Sequence, residues 1–213
     1  APRPRPRPPR RGHPPGAPLF IMIGRIATLF AGGDTSRVAL MMNALSAISS
    51  GFAIMFLFWT ITHLAEKIHG KGSKIEKNQI PAVIGSGVIG ALAYTFSDTF
   101  WFSAVEGELY ALSSLVTGLV FWAMLKWEEE ADQPTSGRWI ILTAYIMGLG
   151  LGIHRLNLLI IPVLIFVYYF RKYEVTRAGV IKTFLVSVTT LYLMVFILIP
   201  GVPKVAGWFE LFF

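Results

Sequence analysis

Three acids and four aromatic residues lie close together in one short segment, residues 97–110, between two apolar stretches. Paired carboxylates beside aromatic faces suit a sugar or a polar lipid head group, and one carboxylate can serve as general base. A helix beginning at Glu108 would stabilise its negative charge through the helix N-terminus. Glu106 and Glu108 are therefore the best catalytic candidates, although acids that merely decorate an outer loop are an equally weighted alternative. The segment also supplies three substrate-binding candidates: Asp98, Trp101 and Tyr110.

A second segment, residues 12–18, places His13 before two consecutive prolines. The fixed proline backbone would hold this imidazole rigidly at the membrane surface, so His13 and Pro14 are further substrate-binding candidates. The pattern alone favours a simpler alternative, in which the prolines form a helix-entry turn and the histidine is incidental.

A third segment, residues 148–157, is rich in glycine. Gly148 and Gly152 have a small-xxx-small spacing that lets helices approach closely, so we expect them to serve packing. The run matches neither of the glycine motifs that bind nucleotides. Arg155 could bind phosphate, or its side chain could extend to lipid head groups. We assign the three polar residues of the segment to substrate binding: His154, Arg155 and Asn157.

The composition indicates that membrane helices must position these segments. Of the 213 residues, 54% are hydrophobic and only 15% charged, and the mean hydropathy is +0.59, which favours an all-α, polytopic transmembrane bundle. Cysteine is absent, which excludes disulfides and Cys-ligated metal, and we expect no metal or cofactor. Five of the nineteen basic residues lie in residues 1–12, so the rest of the chain is nearly neutral and nucleic-acid binding is a poor interpretation.

A spanning helix needs roughly 20 apolar residues, and the hydropathy predicts about six spans. They cover residues 38–65, 81–96, 108–125, 139–153, 156–170 and 179–199, the last closed by Pro200. Residues 13–37 would form an outer-face loop with a short helix, Leu19 to Phe30. We predict a tight turn at His154 and Arg155, because one long helix would hold their charge at mid-membrane. A re-entrant pair lining a cavity is the alternative.

Loop charges predict the orientation. The side that follows Ala65 carries nine basic residues and the opposite side four, excluding the N-terminal tail, which fits the positive-inside rule. The tryptophans are expected near the boundaries, and Glu128 to Glu130 are expected in a solvated loop. Residues 1–12 alternate Pro and Arg and predict a disordered tail, which we expect to be non-native unless it is a targeting arm. We expect residues 201–213 to be a truncated outer-face segment.

At these polar segments the sequence resembles a known family. The segments from His13 to Phe20, from Phe96 to Glu108 and from Gly152 to Leu159 are similar, in order, to a bacterial membrane family common in Bacteroidetes. That family is related to a eukaryotic protein O-mannosyltransferase. The His-Pro-Pro element also resembles the one found in the GT-C class of lipid-linked sugar transferases.

The resemblance implies a GT-C-like membrane region of a glycosyltransferase in the bacterial inner membrane. Its donor would be a polyprenyl-phosphate sugar and its acceptor a protein or glycan on the periplasmic face. The class carries a catalytic acid shortly before the His-Pro-Pro element, but no Asp or Glu precedes Asp34 here. Arg155 also replaces an expected apolar residue. The alternatives to a glycosyltransferase are a transporter or flippase of an amphipathic substrate, or a non-catalytic membrane subunit.

Overall fold

A computed structural model describes residues 17–70 and 75–212, and the regular secondary structure in this part of the chain is all helical, as predicted. The helices are α1 (Pro18–Leu29), α2 (Val38–Gly70), α3 (Ile80–Thr95), α4 (Asp98–Val105), α5 (Leu109–Glu130), α6 (Gly137–Leu151), α7 (Ile161–Lys172), α8 (Arg177–Tyr192) and α9 (Ile199–Phe212). Short 3₁₀ helices, Thr35–Arg37 and Arg155–Ile160, precede α2 and α7. A π-helical stretch, Leu193–Leu198, joins α8 to α9 without a break.

Within residues 17–70 and 75–212, three helices are long and apolar enough to cross a membrane: Thr35–Gly70, Leu109–Glu130 and Arg177–Phe212. Helices α3 and α4 make a fourth candidate if they form one span, although they are bent by 69°. The protein is therefore a multi-pass membrane protein. The predicted count of six is not confirmed, because α6 and α7 have 15 and 12 residues and a straight span needs roughly 20.

The chain reverses direction between α6 and α7, at the position predicted from the cost of a buried charge. Arg138 at the start of α6 pairs with Glu130, and Arg171 at the end of α7 pairs with Asp132. Both ends of this hairpin thus lie beside the end of α5, which leaves the turn around His154 at the far end.

The prediction that the last helix stops at Pro200 is wrong. A proline has no N–H to donate within a helix, which normally ends or kinks it. Here the π-helical stretch precedes it, and the N–H of Ile199 donates to the carbonyl of Met194, five residues back. This wider turn accommodates the proline, and the helix continues to Phe212.

Helix α5 forms the centre of the bundle and runs further than its hydropathy indicated. Its buried residues Leu112, Val116 and Val120 pack against the α6–α7 hairpin and the start of α1. Trp127 is only 2% exposed, so it packs inside the bundle. The predicted solvated loop at Glu128 is instead the last turn of α5, where Lys67 of α2 pairs with Glu128 and Arg138 of α6 pairs with Glu130.

Candidate functional site

The turn that follows α6 packs against the first residues of α1. The N–H of Leu19 donates to the carbonyl of Gly152 at 2.8 Å. A β-carbon at Gly152 would lie 2.9 Å from that of Leu19, so glycine permits this close approach. The contact brings the start of α1 to the turn that carries His154. We call this region the His154 end; the predicted binding residues His13 and Pro14 lie outside the described residues.

The glycines of α6 do not pack as their spacing predicted. Nothing lies within 4 Å of a β-carbon built on Gly148, so the proposed pairing of Gly148 with Gly152 is wrong. Gly150 makes the second close approach, because its β-carbon would lie 2.9 Å from Val116 and 3.0 Å from the amide nitrogen of Asn157. The close approaches are thus made by Gly150 and Gly152, two positions apart, because α6 ends between them at Leu151.

Asn157 connects the turn to α5 and is 5% exposed. Its Oδ1 accepts from the hydroxyls of Ser113 at 2.6 Å and Thr117 at 3.2 Å. Its Nδ2 donates to the carbonyl of Gly150 at 3.0 Å. The side chain that the sequence suggested as a ligand therefore fixes the hairpin, since its oxygen and one of its two amide hydrogens are already used by the protein.

His154 lies beside Tyr110 at the surface of this end. The ring centroids are 5.5 Å apart at 65°, an edge-to-face contact, and the imidazole is half-buried. Burial lowers the pKa of His154 from its ordinary value, and the charge of the neighbouring Arg155 lowers it further. The neutral imidazole is therefore favoured near neutral pH. Arg155 itself is exposed and makes no ion pair with any described residue.

Glu106 and Glu108 lie on an ordered loop between α4 and α5. The N–H of Glu108 donates to the carbonyl of Glu106 at 2.8 Å, and the carbonyl of Glu108 accepts from Ser46 of α2 at 3.5 Å. Between them, a β-carbon on Gly107 would lie 3.0 Å from that of Met42. The backbone is thus fixed, while both carboxylates are exposed and neither has a hydrogen bond or ion pair within the described residues.

Asp98 and Trp101 belong to a separate group on α4. Trp101 stacks on Phe96 with ring centroids 6.0 Å apart at 18°, and Asp98 is exposed in the first turn of the helix. Among the described residues, no ring contact or hydrogen bond joins either of them to His154. These two candidates therefore make no direct contact with His154 in the part of the chain that the structure describes.

An apolar cavity of about 680 Å³ lies between α2, α3, α5 and the 3₁₀ helix that follows His154. Its polar lining includes the hydroxyls of Ser113 and Thr117, and Asn157 also contributes to it. Sequence reasoning missed this cavity because its walls come from helices far apart in the chain. Elsewhere, no group of three or more His, Asp or Glu side chains within residues 17–70 and 75–212 is arranged to hold a metal ion.

Comparison with known proteins gives a family and two relatives. Residues 10–177 match the family described as the protein O-mannosyl-transferase TMEM260 N-terminal domain. The chain is 26% identical over 140 residues to protein O-mannosyl-transferase TMEM260 of Mus musculus, covering 65% of this chain and 17% of that protein. It is also 26% identical over 160 residues to protein O-mannosyl-transferase tmem260 of Dictyostelium discoideum, covering 70% of this chain and 18% of that protein. The match thus spans under a fifth of either relative, and no solved structure matches.

Proposed function

The chain belongs to the TMEM260 N-terminal domain family, and we propose that it forms the membrane region of a GT-C-type glycosyltransferase. The reaction transfers a sugar from a polyprenyl-phosphate donor to a protein or glycan acceptor. Both relatives are named protein O-mannosyl-transferases, which supports this reaction class. Because the match covers less than a fifth of each relative, their activity is carried to this chain as a proposal.

The observation that carries the proposal is that two carboxylates at the His154 end, those of Glu106 and Glu108, have no partner among the described residues. In the transfer, the acceptor oxygen bonds to the anomeric carbon as the bond from that carbon to the lipid phosphate oxygen breaks. The acceptor hydroxyl must lose a proton, and the departing phosphate needs hydrogen-bond donors. Glu106 or Glu108 accepts the proton, because neither carboxylate is engaged by another described residue. Arg155 donates to the phosphate, and His154 and Tyr110 present an aromatic surface to the sugar or phosphate.

The charge distribution supports a location for this reaction. Ion pairs bring five basic residues to the end opposite His154: Lys67, Lys126, Arg138, Arg171 and Lys172. Under the positive-inside rule that end faces the cytoplasm. The His154 end then faces outward, which in a bacterial inner membrane is the periplasmic side.

The donor lipid has a matching place in the bundle. The 680 Å³ cavity is mainly apolar, and Leu156 and Asn157 of its lining follow Arg155 directly in the chain. A polyprenyl chain lying there would hold its phosphate near Arg155.

Transfer from labelled polyprenyl-phosphate mannose, measured in membranes that contain the protein, tests the proposal. The double change Glu106→Gln and Glu108→Gln keeps side-chain size but removes both candidate bases. We expect transfer to fall by about 10²-fold or more, which is the typical contribution of a general base.

Glu76→Gln is the matched control, because Glu76 is also exposed but precedes α3 at the opposite end. Transfer in this variant should equal that of the unchanged protein. Undiminished transfer in the double variant would remove both glutamates from the site, and absence of transfer in the unchanged protein would reject the activity itself.

A further inference from the structure

A second cavity, of about 340 Å³, lies between α2 and α5 at the end opposite His154, here called the Glu128 end. Each helix lines it with a tryptophan and with residues three, four and seven positions later. These residues are Trp59, Thr62, His63 and Glu66 on α2, and Trp122, Leu125, Lys126 and Glu129 on α5. Such spacing places each set on one helix face, so the two helices present similar walls to the same space.

The wall nearest the membrane centre is aromatic. The rings of Trp59 and Trp122 are 6.2 Å apart, and Phe56 lies 5.5 Å from each of them. Trp139 packs edge-on against Trp122 at 5.7 Å. Indole faces are negative and attract cations, so this wall favours a positively charged group.

The charged wall also favours a cation. Glu129 pairs with Lys126 at 2.6 Å and lies 3.0 Å from Nδ1 of His63. The carboxylate of Glu66 is exposed and has no hydrogen bond or ion pair within the described residues. With two carboxylates and one ammonium, the lining is net negative when His63 is neutral.

His63 holds Glu129 in place at this cavity. Its Nδ1 lies 3.0 Å from the Glu129 carboxylate. Its Nε2 is buried, lies 3.8 Å from Glu128 and has no hydrogen-bond partner among the described residues, so a ligand in the cavity does not reach it. The carboxylates of Glu66 and Glu129 remain as acceptors for a ligand that brings several N–H donors.

The depth of the cavity indicates where such a ligand comes from. The cavity lies where the apolar length of α2 and α5 gives way to the charged residues Lys67, Glu128 and Glu130. Tryptophans concentrate at the level of lipid head groups, and three of them lie at or beside this cavity: Trp59, Trp122 and Trp139.

We propose that this cavity binds the primary ammonium head group of a phospholipid of the phosphatidylethanolamine type. The ammonium has three N–H donors, which suit the carboxylates of Glu66 and Glu129, while the indoles face its charge. Lys126 lies beside Glu129 and can donate to the lipid phosphate. A quaternary choline head group would contact the indoles but could donate no hydrogen bond, and an anionic head group without an amine would be repelled by the glutamates. The site is separate from the proposed transfer reaction and does not depend on it.

Native mass spectrometry of the detergent-purified 213-residue chain tests this site. The chain is mixed with equal amounts of short-chain phosphatidylethanolamine, phosphatidylcholine and phosphatidylglycerol, and bound lipid is counted by mass. We expect phosphatidylethanolamine to bind at least about fivefold more than either competitor, and Glu66→Gln or Trp59→Leu to abolish this preference. Glu76→Gln and Trp208→Leu, which change exposed residues outside the cavity, should keep it.

Soluble phosphoethanolamine separates the head group from the acyl chains. We expect a large excess of it to displace the bound lipid from the unchanged chain. Equal binding of the three lipids, a preference that survives in both cavity variants, or failure of phosphoethanolamine to displace the lipid would each overturn the proposal.

Discussion

The two ends of the bundle carry charge in opposite ways. At the Glu128 end, ion pairs join Lys67 to Glu128, Arg138 to Glu130 and Arg171 to Asp132 between different segments, and Lys126 to Glu129 within α5, while Glu66 has no ion pair among the described residues. At the His154 end the exposed groups Glu106, Glu108 and Arg155 have no ion pair within the described residues. The backbone there is held by other means: the Leu19–Gly152 hydrogen bond and the buried Asn157.

This difference separates groups that hold the fold from groups available to a ligand. Paired charges at the Glu128 end fasten the ends of α2, α5, α6 and α7 to one another. Unpaired charges on a fixed backbone contribute little to stability, but they are already positioned to bind a substrate. The comparison predicts that changes to the exposed residues of the His154 end alter transfer but not stability. Changes to its buried supports should lower the stability of the protein.

The largest effect on stability should come from Asn157→Leu. The change leaves the hydroxyl of Ser113 and the carbonyl of Gly150 without their buried partner, and each such loss costs about 1–3 kcal/mol. Thermal unfolding in detergent measures the change. Asn78→Leu, at an exposed position, should be nearly neutral, and equal stability of the two variants would contradict the supporting role of Asn157.

Two glycine substitutions test the junction between α1 and the turn. Gly152→Ala should destabilise by about 1–3 kcal/mol, because the added methyl group is forced against Leu19. Gly148→Ala, within α6 and four positions earlier, meets open space and should not destabilise the protein. The free energy of unfolding of both variants decides the point, and a greater loss at position 148 would restore the small-xxx-small interpretation.

A pair of arginine substitutions compares the two ends directly. Arg171→Gln removes an ion pair to Asp132 and a hydrogen bond from Nε to the carbonyl of Glu128 at 3.0 Å. We expect the free energy of unfolding to fall by about 1 kcal/mol, and this difference should become smaller in high salt. Arg155→Gln should leave the unfolding free energy unchanged while reducing transfer. If the Arg155 variant were the less stable of the two, the contrast between the ends would fail.

The smallest effect concerns the protonation of His154. Its pKa should lie below the ordinary value of about 6.5, measured by NMR of labelled histidine. Arg155→Gln should raise the pKa only partly, because burial is the larger cause. The folded state binds this proton less readily than the unfolded chain. The contribution of this group to stability is therefore complete above pH 6.5 and is lost as pH falls toward the folded-state pKa.

Arg37→Gln removes an exposed positive charge elsewhere and controls for net charge. It should leave the His154 titration unchanged. A His154 pKa at or above 6.5 in the unchanged protein would contradict the burial seen in the structure.

Hydropathy and the positions of charges along the chain predicted the helical class, the turn near His154 and the first short helix. The all-helical class followed from hydropathy, and the turn near His154 followed from the cost of charge in a membrane. The short helix predicted over residues 19–30 is observed at Pro18–Leu29. Pro200 misled the prediction because a π-helical stretch several residues earlier accommodates it.

The sequence could not predict which polar residues have partners. Glu128 and Glu130 resemble a solvated loop until α2 and α6 bring Lys67 and Arg138 to them. Asn157 looked like a ligand because its partners, on α5, are some forty positions away. The repeated tryptophan-to-glutamate spacing on α2 and α5 was visible in the sequence, but only the packing of these helices side by side makes it a cavity.

Photo-crosslinking of the donor tests the central claim most directly, namely that the His154 end is the substrate site. A polyprenyl-phosphate sugar with a photoreactive group on the isoprene unit next to the phosphate is bound to the protein in membranes and irradiated, and the labelled peptides are identified by mass spectrometry. We expect labelling of peptides that contain Tyr110 and His154, competed by unlabelled polyprenyl-phosphate sugar. Competed labelling confined to peptides around His63 and Glu128 would place the donor at the other end and contradict the account.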